Sequence, residues 1–207
     1  MSRFRLANRI ALAVCMVFLL CFPPSIVLCD NAPGTRQTSA SPDNTFVAKG
    51  DSTLHAFTIT AGTYTVQLEA PALTTLEELQ TAATGGTLKL SVTVSAKGLE
   101  SGKDKMNNLM WDTLKVKPFP EITFTSQTAV YQGQQDNAAE VTFKGELTIA
   151  GKTNATELAT RIHLTPVLRI QGTKDLKMSA FGMDPPTAMM GMMKTKDDVT
   201  VEFDWKL

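Results

Sequence analysis

Cysteine stops early in this chain. Cys15, Cys21 and Cys29 are its only three thiols, and nothing beyond Asp30 carries one. The main body therefore has no disulfide, no Cys-zinc site, no thiol nucleophile and no iron–sulfur cluster. Histidine is scarcer still, with His55 and His163 alone. Neither sign of charge dominates, since 20 Lys+Arg face 20 Asp+Glu. That balance excludes the basic excess with which a general nucleic-acid binder displaces counterions. The sequence has no His-Glu-x-x-His pair, no Walker loop, no dinucleotide glycine fingerprint and no Gly-x-Ser-x-Gly elbow. Ser52 and His55 are three residues apart, so in a strand they point to opposite faces and make no nucleophile–base pair. These absences predict a protein that is not an enzyme and needs no cofactor or metal.

What is present suits one folded domain with a short appendage: 207 residues, 43% hydrophobic and 19% charged. Arg3, Arg5 and Arg9 precede an apolar run, Ile10 to Phe22, which Pro23-Pro24 breaks. A basic start, a short apolar core and a breaker read as an export signal over residues 1–29. Thirteen helical residues reach roughly 20 Å, short of a bilayer core of about 30 Å. An uncleaved anchor through Cys29 and an acylated Cys29 are the rival readings. Cleavage near Cys29 would leave 17 basic against 20 acidic residues in a secreted protein that works outside the reducing cytoplasm. Residues 30–44, rich in Ser, Thr, Pro, Asn and Gly, lack apolar periodicity and predict a flexible linker.

From Thr45 to Leu207 the pattern alternates. Thr87 to Lys97 places Leu88, Leu90, Val92, Val94 and Ala96 on one face and Lys89, Ser91, Thr93 and Ser95 on the other. That is a long half-buried strand. Glu121–Tyr131 and Ala139–Ala150 follow, the second with Gly145 inside it, a position that predicts a bulge or bend. Further strands fit Phe46–Ala48, His55–Thr60, Tyr64–Glu69, Thr153–Leu164, Val167–Gln171, Asp175–Ala180 and Asp197–Lys206. Two interruptions carry helical spacing: Leu73–Ala83, and Lys103–Lys115 with Met106, Leu109, Met110 and Leu114 on one stripe behind a candidate cap, Ser101. Many strands and two short helices in this length predict an all-β antiparallel barrel or sandwich, and the long strands favour a barrel. Eight strands closed on themselves are either filled by side chains or hold one small ligand.

Four motifs, in order, are similar to one family. Ser52-Thr53-Leu54-His55-Ala56-Phe57 resembles the Ser-Thr-Leu-His-x-aromatic opening of YceI-like proteins. Leu99-Glu100-Ser101-Gly102 through Phe119-Pro120-Glu121-Ile122-Thr123-Phe124 resembles their central Pro-x-Ile-x-Phe block. Gly145 to Thr153 is similar to their Gly-x-Leu-x-Ile-x-Gly-x-Thr hairpin. Phe181-Gly182 and the residues after it resemble their Asp-Phe-Gly tail, with Ala180 in place of the Asp. The resemblance implies a lipocalin-like antiparallel β-barrel of about eight strands with one or two short helices. It also implies a periplasmic protein binding a long isoprenoid, a polyisoprenoid quinone or alcohol, in a hydrophobic bore.

On that expectation alternation nominates Leu90, Val92, Val94, Phe124, Phe143, Phe181, Met189 and Met193 as bore or mouth lining. Met178, Met183, Met189, Met190, Met192 and Met193 cluster near the C-terminus. Flexible, polarizable methionines suit a pocket for a long chain. Ordinary packing accounts for them equally simply, and periplasmic copper(I) held by thioethers is the sharp alternative. Trp111 and the Met106/Met110/Leu114 stripe predict a helix packed on one end of the barrel, as core or as lid. Lys105, Lys115 and Lys117 nearby read as a solvated face or a transient membrane contact. A homodimer, and a filled barrel that works through its surface, complete the expectations about partners.

Overall fold

The computed structural model describes residues 34–188 and 192–207. The expected export signal, and Met189 and Met190, lie outside the described residues. Those described form twelve strands and two helices. In chain order the strands are β1 Gly34–Ser39, β2 Thr45–Ser52, β3 Ala56–Ala61, β4 Tyr64–Ala70, β5 Lys89–Ser95, β6 Leu99–Glu100, β7 Glu121–Gln135, β8 Ala138–Ile149, β9 Lys152–His163, β10 Arg169–Lys177, β11 Thr187–Ala188 and β12 Met193–Lys206. The helices are α1 Leu76–Thr84 and α2 Asp104–Thr113. The ladder is antiparallel and runs β1-β4-β5-β7-β8-β9-β10-β12-β2-β3-β6, with β11 on β12.

This is a curled half-barrel, and it corrects the expected closed barrel of about eight strands. The long strand predicted over Thr87–Lys97 bends at a 3-10 turn, Ala96–Gly98. Its continuation, β6, leaves β4 and pairs instead with β3 through Thr60↔Glu100 and Ala61↔Leu99. The path therefore ends on a strand that follows β5 in the chain, and β5 is the third strand from the other end. The linker expectation also changes. Residues 34–39 pair with β4 from Gly34↔Ala70 to Ser39↔Thr65. A strand edge presents unpaired N–H and C=O groups, and Thr-rich Gly34–Ser39 satisfies them while staying largely solvated, which explains its lack of apolar alternation. The segments expected as Val167–Gln171 and Asp175–Ala180 are one strand, β10, followed by a 3-10 turn, Met178–Phe181.

Gly145 does sit at an irregularity. The β7–β8 register shifts between Ser126 and Thr128, and Gly145 faces Ser126. A Cβ there would lie 2.1 Å from the Thr125 carbonyl oxygen, so only glycine permits this approach. The displaced Ser126 is buried and its Oγ accepts from the Leu90 amide at 2.7 Å, extending the β5–β7 ladder by one bond.

Helix α1 begins later than its apolar spacing suggested, because Thr75 and Glu78 form a capping box. Leu79, Ala82 and Ala83 are buried and join Val66, Leu68, Leu88, Leu90, Val141, Phe143, Ile162 and Ile170 in the main core. A second cluster, Ile149, Ala150, Phe181 and Met183, packs with Leu114, Leu176 and Met178. Gly182 stands at φ 65° in the left-handed region, which turns the chain sharply after Phe181 and explains a Phe-Gly pair at this place.

Helix α2 differs. Its one buried residue is the polar Asn107, and Met106, Leu109, Met110 and Trp111 are half-buried. Ser101 does not cap it. Its amide and hydroxyl both donate to Asn107 Oδ1, each at 2.7 Å, fastening the loop to the first turn.

Candidate functional site

Alternation aims one face of each strand inward, and the interior these faces build has two parts. One is solid: Val66, Leu68, Leu79, Leu88, Leu90, Val141, Phe143, Ile162 and Ile170 are all within 2% of full burial. The other holds a cavity of about 150 Å³ with an apolar surface throughout. Its walls come from β2 and β3 (Phe46, Ala48, Ala61), β5 and β6 (Val92, Val94, Leu99), β7 and β8 (Ile122, Phe124, Leu147, Ile149), β9 and β10 (Thr156, Leu158, Lys174, Leu176) and β12 (Val201, Phe203, Trp205). Trp205 stacks on Phe203 with ring centroids 4.2 Å apart and meets the edge of Phe46 at 5.3 Å. Its indole N–H is buried and has no hydrogen-bond partner among the described residues. A broader depression of about 660 Å³ lies over Glu140, Arg161, Gln171, Glu202 and Asp204. It is open to solvent, with charged and apolar groups mixed along its lining, so it has none of the enclosure that an apolar ligand needs.

Val92, Val94 and Phe124, of the nominated lining residues, stand in the cavity wall. Leu90 and Phe143 lie in the solid part of the core. Phe181 belongs to the second cluster, behind Ile149. Met193 is half-buried at the start of β12 and pairs with Ala188. Met189 lies outside the described residues. The other described tail methionines do not converge: Met183 is buried in the second cluster beside Met178, and Met192 is 68% exposed.

Between β9 and β10 the wall is split. Their ladder runs from Arg169↔His163 only to Gly172↔Thr160. Beyond it β9 stays with β8 down to Ile149↔Lys152, and β10 stays with β12 to Lys177↔Asp198. Continuing the broken register would place Lys174 opposite Leu158 and Leu176 opposite Thr156, and all four line the cavity. The split is thus a window in front of the cavity. Gly172 marks its upper end, where a Cβ would lie 2.6 Å from the Ala159 carbonyl oxygen. The Met178–Phe181 turn closes its lower end, held by Asn154 Nδ2 donating to the Ala180 carbonyl at 2.9 Å. Lys174 spans the window and donates from Nζ to the Glu157 carbonyl at 3.0 Å.

Lys174 is the one charged residue in the cavity wall, and the sequence reading passed over it. Its signal was visible, because Ile170-x-Gly172-x-Lys174-x-Leu176 is an inward face interrupted by a cation. Dividing β10 at that point hid the interruption. Around it, Glu157 is held below the ordinary carboxyl range, chiefly by the hydrogen bond from Lys144 and the attraction of its charge, with a smaller pull from Lys174.

The Ser52–His55 element is a turn, not a catalytic pair. Ser52 Oγ donates to the His55 carbonyl at 2.8 Å and accepts from the His55 amide at 3.2 Å. Among the described residues no group of three His, Cys, Asp or Glu side chains is arranged to hold a metal.

A curled antiparallel half-barrel with an apolar chamber is the class of protein these features define. The YceI-like domain family matches residues 39–207, and the chain belongs to that family. The fold is similar to that of Burkholderia cenocepacia BcnA, with a TM-score of 0.61 and 17% identity over 78% of this chain and 94% of that one. It is similar to a polyisoprenoid binding domain from Saccharophagus degradans implicated in plant cell wall breakdown, with a TM-score of 0.54 and 13% identity over 83% and 97%. It is also similar to the Campylobacter jejuni YceI protein, with a TM-score of 0.52 and 19% identity over 72% and 82%. No curated protein matches the chain.

Proposed function

We propose that this protein binds one isoprenoid lipid, a polyisoprenoid quinone or alcohol, with its chain in the apolar interior, and catalyses no reaction. The observation that carries the reading is the cavity wall, which is apolar across seven strands and gains its only charge at an opening. A fold relative described as polyisoprenoid binding supports it. Each methylene moved from water to such a wall contributes roughly 0.8 kcal/mol, and ordering the chain offsets part of that gain.

The chamber volume sets a condition. Pockets for drug-sized ligands span about 300–1,000 Å³, and this one is about 150 Å³. A long chain therefore enlarges the interior as it binds. Displacing fully buried side chains of α1 costs about 1.5–3 kcal/mol for each large residue. The half-buried stripe of α2 and the unpaired edges of the window yield at less cost, so the interior grows on that side.

The same small volume favours a second reading, a filled barrel that meets a partner through its surface. Native mass spectrometry of protein gently purified from its own host separates the two. A co-purifying lipid, or one-to-one uptake of an added prenyl alcohol or quinone, is the expected result. Protein that carries no lipid and takes up neither probe is the filled barrel. Export belongs to the same proposal and rests on Arg3, Arg5, Arg9 and the apolar run after them. Its check is the N-terminal sequence of the protein recovered from the cell envelope, expected to begin near Asp30.

A further inference from the structure

The window between β9 and β10 has the features of a headgroup site. It lies directly before the apolar chamber, and the residues on its two edges, Thr156, Leu158, Lys174 and Leu176, are chamber walls. Its two ends are fixed, by the Gly172↔Thr160 pair and by the Asn154–Ala180 bond. A lipid whose chain fills the chamber would have its polar end at such an opening.

Charge decides which polar end fits. Glu157 and Asp175, the acidic residues beside the window, alternate to the outer face. There Lys144 lies 2.8 Å from the Glu157 carboxylate, and the Thr200 hydroxyl donates to Asp175 at 2.6 Å. Lys174 is on the inward register, half-buried, with its aliphatic stem against apolar wall and its ammonium at the rim. Its one hydrogen bond among the described residues is to a backbone carbonyl across the gap. A neutral acceptor is a weaker partner for an ammonium than an anion is, so this bond is readily exchanged for one to a phosphate.

We propose that the window seats an anionic, phosphate-type headgroup and that Lys174 exchanges the Glu157 carbonyl for that phosphate when the prenyl chain occupies the chamber. The proposal rests on the lipid-binding reading above. It adds a residue that selects among lipids with identical tails, and a lateral path by which they load.

Tail-matched probes test it. Geranylgeraniol and geranylgeranyl monophosphate are titrated into the purified protein at low ionic strength. The protein is expected to bind the phosphate about tenfold more tightly, the size of one charge-assisted hydrogen bond. That preference is expected to shrink in high salt, because the rim is solvated. Lys174→Met brings the phosphate-to-alcohol ratio close to one, chiefly by weakening the phosphate, and Lys174→Gln does the same with a polar side chain. Lys174→Arg keeps the preference. A ratio equal in the wild type and in Lys174→Met overturns the headgroup assignment and leaves lipid binding standing. A wild-type protein that binds neither probe removes the lipid-binding reading and this inference together.

Discussion

The indole Nε1 of Trp111 donates to the carbonyl of Leu99 at 3.1 Å, and Leu99 is part of the cavity wall. Trp111 thus ties α2 to the corner where β6 leaves β5. The Lys97 ammonium lies 3.1 Å from the centroid of the same ring. Little else fastens α2, since its only buried residue is Asn107. A helix held this way opens at lower free energy than the strands around it. Trp111→Phe removes the hydrogen bond and weakens the cation–π contact, a loss of about 1–2 kcal/mol. Hydrogen exchange read by mass spectrometry is expected to accelerate across Asp104–Thr113 and to stay unchanged in β7 and β8. Uniform acceleration throughout the protein would mean that α2 belongs to the global fold.

Gly145 supports a prediction of the opposite kind, about the rigid part. With the Thr125 carbonyl oxygen 2.1 Å and the Ser126 Cα 2.6 Å from a built Cβ, no side-chain rotation relieves the clash. Gly145→Ala already forces β7 and β8 apart at their bulge, and Gly145→Val adds a branched chain. Denaturant unfolding is expected to show a loss of about 2–4 kcal/mol for Gly145→Ala, in the range of severe overpacking. A change below about 0.5 kcal/mol would show that the strands part freely there.

Acid sensitivity follows from Asp204. Arg169 forks onto its carboxylate through Nε at 2.5 Å and through Nη2, and Gln171 Nε2 adds a bond at 2.9 Å. These donors, Arg169 first, hold the Asp204 carboxyl below its ordinary value. A carboxyl depressed on folding contributes stability above the unfolded value of about 3.9 and loses that contribution as pH falls through the folded value. Asp204→Asn is therefore expected to be less stable than the wild type at neutral pH. The gap in denaturant midpoint closes as pH falls from about 4 toward 2. A gap that stays constant down to that pH would assign the effect of the substitution to packing.

Alternation made the body legible. Leu90, Val92 and Val94 point inward as their spacing requires, Gly145 marks a bulge, and Thr153–Leu164 matches β9 to within a residue at each end. The features that decide the candidate site were less visible. Leu90 and Val92 carry the same local pattern, but one is solid core and the other cavity wall; α1, packed on β7 and β8, adds Leu79, Ala82 and Ala83 to the solid part and nothing to the wall. Where a helix packs inside a barrel is a long-range fact that period-two spacing does not encode. The window is similar: β9 and β10 each look regular, and their parting shows only in the register between them. The bend at Ala96–Gly98 was hidden by an apolar face that runs on through Ala96. Gly34–Ser39 escaped notice because an edge strand exposed on both faces has no apolar face to display.

Trp205 offers a direct report from inside the chamber. It lines the cavity, stacks on Phe203, and is 1% exposed, whereas Trp111 is half-buried on α2 and outside the wall. Two tryptophans in the whole chain make the signals separable by substitution. Quinone rings accept electrons from excited indole at contact distance, and a short-chain quinone has no anionic end to hold its ring at the window, so a ring that enters the chamber darkens Trp205. In Trp111→Phe, where Trp205 is the sole emitter, titration with a short-chain prenyl quinone is expected to give strong, saturable quenching. In Trp205→Phe, which preserves a ring against Phe203, the emission of Trp111 is expected to fall little at the same concentrations. Equal quenching of the two single-tryptophan proteins would place the quinone on the outer surface and remove the chamber as its site.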